Sequence, residues 1–210
     1  MKKIAKFFLM MLMIVVVVSA GMTSSYANNL GYKWPNSVSN IFFYYSTDHF
    51  TTAESTAVRN AFNQWNNLQL SYSIPHAKSL FLTASSSAQT ESCTVTKVET
   101  DWRYGESTIA YADNFASNGQ LIYSKILLND VNHNFSANAD SGSYHIQSVV
   151  LHEAGHSLGV AHCHELENAD FGCDSFTCSA NIMNPAGIVR GAVRTTFQNY
   201  DIVSYQSLYQ

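Results

Sequence analysis

The chain has 210 residues, a formal net charge of −4 and only 12% charged residues. Its only basic cluster is Lys2, Lys3 and Lys6 at the extreme N-terminus, so a nucleic-acid or anionic-surface partner is excluded as an expectation. Polarity comes instead from abundant Asn and Ser, as suits an extracellular protein.

An unbroken apolar run, Phe7 to Val18, follows the three lysines, and small and polar residues follow that. This is the order of a secretory signal peptide. Its twelve apolar residues are too few to span a bilayer of about 30 Å comfortably. Cleavage after Ala27 or after Ala20 satisfies the small-residue rule, and the segment is assigned as 1–27. An uncleaved anchor is the competing reading. Residues 28–210 then suit one domain, large enough to bury a core without staples. A secreted, monomeric protein with no stable membrane association after cleavage is expected.

The aromatic run at 39–46 has strand character. Thr51 and Glu54 form a capping box for a first helix, along which Val58, Ala61, Phe62 and Trp65 recur at helical spacing. Short strand-like runs follow at 70–74, 80–84, 108–112 and 121–128. A second helix is expected from Ser141 or Ser143, with Ile146, Val149, Val150, Ala154 and Leu158 as its apolar stripe and Gly159 as its stop. A closing helix over 199–208 turns Ile202, Tyr205 and Leu208 inward. The sum is an α+β single domain with one mixed, twisted sheet.

The second helix carries the chemistry. His152 and His156 are four residues apart, so both imidazoles leave one helix face and can reach one Zn²⁺. Glu153 is rotated about 100° from His152 and stands beside such a metal as a general base rather than a ligand. Gly159 lets the backbone swing back so that His162 supplies a third nitrogen. Three neutral ligands leave a fourth position open, as in catalytic zinc sites. A chance origin for this pattern has a probability on the order of 10⁻⁵. The four cysteines Cys93, Cys163, Cys173 and Cys178 all lie in the exported part, and an even count there favours two disulfides among three pairings. A cysteine metal site competes, but CxxC spacing is absent.

The segment HEAGHSLGVAH resembles the HExxHxxGxxH motif of the metzincin metalloproteases. In that light Met183, within Asn181–Pro185, looks like the methionine turn beneath the zinc. Within the metzincins the chain resembles the matrixins: Tyr32–Trp34 and 41–44 at the start, Ala61–Trp65 in the first helix, 107–112 along the cleft and 201–209 at the end. The resemblance implies a zincin-like fold with an active-site helix, one catalytic Zn²⁺ and hydrolysis of a protein or peptide. It implies an edge strand, Thr108, Ile109, Ala110, Tyr111 and Ala112, that pairs with extended substrate. Tyr111 and His164 are expected near the cleft.

Departures are informative. Cys163 stands where matrixins carry Ser or Thr, and three cysteines between His162 and Met183 lead us to expect a disulfide-braced loop. Pro185 replaces the tyrosine ligand of astacins. His133 and His145 lack companions for a second zinc and are read as surface histidines. Asp113, Asp130 and Asp140 are candidate Ca²⁺ ligands without an EF-hand pattern. A zinc-holding binding module is one competing function, though it has no need of a base at Glu153. A zinc amidase acting on cell-wall peptide is another.

Overall fold

The computed structural model describes residues 29–163 and 179–210. The expected signal peptide, His164, Cys173 and Cys178 lie outside the described residues.

Five strands form one sheet: β1 (Asn40–Tyr45), β2 (Ser79–Ala84), β3 (Thr94–Val98), β4 (Ala110–Ser117) and β5 (Gln120–Asn129). Their order is β2-β1-β3-β5-β4, parallel throughout except for the antiparallel β4–β5 pair. A short second sheet pairs β6 (Phe135–Ser136) with β7 (Tyr144–His145). Among the described residues three α-helices complete the domain: α1 (Thr52–Tyr72), α2 (Ile146–Ser157) and α3 (Asn199–Tyr209). The architecture is therefore a mixed α/β single domain. Among the described residues no helix is long and apolar enough to cross a membrane.

Alternation in β1 sends Ile41, Phe43 and Tyr45 inward, where helices cover the sheet. α1 lies against β2, α2 lies against β4 and β5, and the two helices pack on each other. Trp65 of α1 is buried at their junction, and its indole N–H donates to Leu151 O at 2.9 Å. The capping box of α1 forms as expected, with Glu54 also reached by Lys97 of β3 at 3.3 Å.

Several expectations need correction. Residues 70–72 end α1 rather than starting a strand. The alternation of Leu70, Tyr72 and Ile74 imitates a strand, but Leu70 is 80% exposed and only Ile74 is buried. Ser73, at φ 51°, ends the helix. Thr94–Val98 forms β3, a strand beyond those expected. The cleft strand begins at Ala110, after Thr108 and Ile109, and continues to Ser117. Neither Ser141 nor Ser143 caps α2: the helix starts at Ile146, after β7 has used Tyr144 and His145.

Candidate active site

α2 is buried along most of its length, and its spacing places His152 and His156 side by side with ring centroids 4.8 Å apart. Beyond its end, Gly159 takes φ +92°, and Val160 N–H returns to Gly155 O at 2.9 Å. That reversal brings His162 back over the helix. Its Nε2 lies 3.0 Å from His152 Nε2 and 2.9 Å from His156 Nε2. His152 Nδ1 donates to Ile182 O at 2.7 Å, and His156 Nδ1 donates to Val160 O at 2.8 Å. A carbonyl only accepts, so Nδ1 carries the proton in both rings and Nε2 presents a lone pair.

Lone pairs converging within 3 Å repel unless a cation lies among them. Tetrahedral zinc with bonds of 2.0–2.1 Å holds its nitrogens about 3.3 Å apart, close to the two distances from His162 Nε2, and all three donor atoms lie within 4.8 Å of one another, so the donor set suits such an ion. Burial, followed by the adjacent His156, holds His152 well below the usual histidine range, in the neutral form a ligand needs. This trio is the one group able to hold a metal among the described residues.

Glu153 is buried beside the trio. Burial raises its carboxyl to about 8, against the opposing pull of a hydrogen bond from the Ala112 backbone of β4. Met183 is fully buried below: a Cβ added to Gly155 would stand 2.3 Å from its sulfur. The Met183 turn is held from α3. Asp201, fully buried, accepts from Ile182 N at 3.0 Å, Met183 N at 3.1 Å and Gln198 N at 2.9 Å.

The carbonyls at the end of α2 lack regular helical donors, although Gly159 N–H still reaches His156 O at 2.9 Å. His156 O accepts from Asn114 Nδ2 at 3.0 Å, Ser157 O from Trp34 Nε1 at 2.8 Å and Leu158 O from Tyr209 OH at 2.7 Å. Gly159 O accepts from Leu30 N at 2.9 Å. Three distant segments thus fix the helix end that carries His156.

A cleft of about 610 Å³ opens in front of the histidines. Thr108, Ile109, Ala110, Tyr111 and Ala112 line one wall, and Val149, Pro185 and Ile188 line an apolar recess. Leu30, Tyr32 and Tyr104 also line it, and Tyr104 stacks on Tyr111 with centroids 4.2 Å apart.

The expected disulfides are corrected for their described members. Cys93 and Cys163 are free and buried, and burial raises both thiols. Packed cysteines act there as small apolar residues. His145 is buried, not at the surface, with Nδ1 2.8 Å from Ser148 Oγ. The ring nitrogens of His133 are likewise buried, and its ring meets Tyr144 edge-on. Asp113 faces Arg103 at 3.7 Å, Asp130 faces Lys97 at 3.4 Å and Asp140 accepts from Ser136.

Asp201 and Asn114 were missed as site residues. Asp201 leaves a local trace in its capping box with Gln198. Asn114 leaves none, because its partners come from other parts of the chain.

No family model and no curated protein matches the chain. Among solved structures it is similar to high choriolytic enzyme 1, a hatching enzyme zinc-protease from the medaka fish Oryzias latipes. Identity is 14%, the match covers 89% of this chain and 96% of that one, and the TM-score is 0.44.

Proposed function

We propose that this chain is a secreted zinc-dependent endopeptidase of the metzincin type, matrixin-like in its motifs. The observation that carries the reading is the convergence of three histidine Nε2 atoms beside a buried carboxyl in an open cleft. His152, His156 and His162 hold the metal. Bound there, zinc polarises a peptide carbonyl and lowers the pKa of water.

Glu153 takes a proton from water at its carboxylate oxygen and passes it to the departing amine. A carboxyl raised to about 8 is matched to both tasks near neutral pH. An extended protein or peptide substrate lies beside Ala110–Ala112 and pairs with the strand edge. The recess of Val149, Pro185 and Ile188 accepts an apolar side chain. Met183 supports the ligands from below. Export by residues 1–27 and action as a monomer belong to the same proposal.

The test compares the parent with Glu153→Ala, measuring bound zinc and cleavage of unfolded casein together. Equal zinc in both, with cleavage by the parent alone, is expected. A folded parent that binds no zinc overturns the proposal; zinc without cleavage in either chain turns it towards a binding module or a narrow amidase.

A further inference from the structure

Apolar side chains line the cleft near both ends of α2. Val149, one helical turn before His152, lies near its start, and Ile188 lines the same cleft. Leu30 and Tyr32 line it from a segment bonded to the other end, through Gly159 O and, by way of Asn114, His156 O. At about 1.5 Å per residue, Val149 and Ser157 stand about 12 Å apart along α2.

The segment bearing Leu30 and Tyr32 is firmly docked. Leu30 N–H donates to Gly159 O at 2.9 Å, and Lys33 N–H donates to Gly119 O at 3.1 Å. Asn114 Nδ2 donates both to Tyr32 OH at 3.1 Å and to His156 O at 3.0 Å, joining this segment to β4 and to the ligand helix. Yet the Leu30 side chain is only partly buried and stands outside the hydrophobic core. An apolar side chain held at the wall of a cleft without serving the core is available for a ligand. Among the described residues, apart from the histidines and Glu153, the only titratable side chains lining the cleft are the tyrosines Tyr32, Tyr104 and Tyr111. A charged substrate side chain finds no counter-ion among them.

We propose that Leu30 and Tyr32 form a second specificity subsite, which takes a large apolar or aromatic side chain of an extended peptide. The proposal rests on the endopeptidase reading above and adds a requirement that the zinc motif does not contain. Extended chain advances about 3.3 Å per residue, so this side chain lies about four residues from the one seated against Val149 and Ile188.

The experiment uses zinc-loaded Glu153→Ala chain and measures peptide binding by fluorescence anisotropy, so no cleavage is needed. The probes are labelled serine- and alanine-rich decapeptides with two phenylalanines four residues apart, and versions with either one changed to serine. Each change is expected to weaken binding about tenfold. Adding Leu30→Ser and Tyr32→Ser should abolish the discrimination at one phenylalanine and preserve it at the other. Tyr32→Phe, which keeps the ring, should retain both. If the paired substitution unfolds the chain, Leu30→Ser alone supplies the same readout. Equal binding of all peptides, or unchanged discrimination in the substituted chain, overturns the subsite. Cleavage by the Glu153-intact chain is scored separately. Selective binding without cleavage sinks the peptidase and keeps the subsite, and cleavage without selectivity does the reverse.

Discussion

Replacing Gly159 with alanine tests how the third histidine is placed. Two costs follow from the geometry. The residue sits at φ +92°, where an L side chain is strained by about 1–2 kcal/mol. The added Cβ would also stand 2.3 Å from Tyr32 O, a backbone atom anchored on both sides, and such overpacking costs about 1–3 kcal/mol. Reduced freedom of the unfolded chain offsets about 0.4–1 kcal/mol. The net loss is about 3 kcal/mol, or about 6–12 °C in Tm for a domain of this size. Thermal unfolding followed by circular dichroism reads it directly. Gly159→Asn should recover little, because asparagine brings the same Cβ. Zinc affinity should fall along with Tm, since the reversal at Gly159 aims His162. A variant that melts with its parent and binds zinc as tightly would refute the account.

Asp201→Ala leaves three backbone N–H groups without their acceptor and should cost about 3 kcal/mol in urea unfolding, with Asp201→Asn losing less. Stripping zinc with a chelator should lower Tm and restoring it should recover the loss; zinc at a thousandfold excess over its Kd adds about 4 kcal/mol to the folded state. Burial, with the nearby Lys33 charge second, pulls Lys78 from 10.5 down to about 8. Between those values the unfolded chain binds more protons than the folded one, so the contribution of Lys78 to stability rises with pH, by at most about 1.4 kcal/mol per pH unit. Lys78→Met should abolish that rise between about pH 8 and pH 10, which urea midpoints would detect; an equal rise in the variant would rule out Lys78 as its source. Tyr205, pushed up to about 12 by burial, acts in the opposite sense only above the ordinary tyrosine range.

The histidine trio, which could hold a metal ion, was legible in sequence because it is local. His152, Glu153 and His156 share one helix, and Gly159 marks the reversal before His162. Met183 needed the family resemblance, since nothing near it in sequence names the helix above. Asn114, Leu30 and Tyr32 were illegible as site residues because their partners lie far along the chain. The end of α1 misled because an alternating pattern over five residues fits a frayed helix end as well as a strand. The cysteine expectation rested on compartment and parity, and neither says whether two thiols share a neighbourhood.

The bonds at the end of α2 also constrain the order of folding. Trp34 and Tyr209, which cap adjacent carbonyls there, are separated by 175 positions. Lys33 reaches Leu208 O across the same interval. A chain that emerges from the ribosome N-terminus first can form α1, pair β1 with β2 and offer Trp34 and Asn114 to α2 as soon as that helix exists, but Leu158 O has no side-chain partner until Tyr209 has been made. The bond that closes the end of the histidine-bearing helix therefore waits for the final turn of α3.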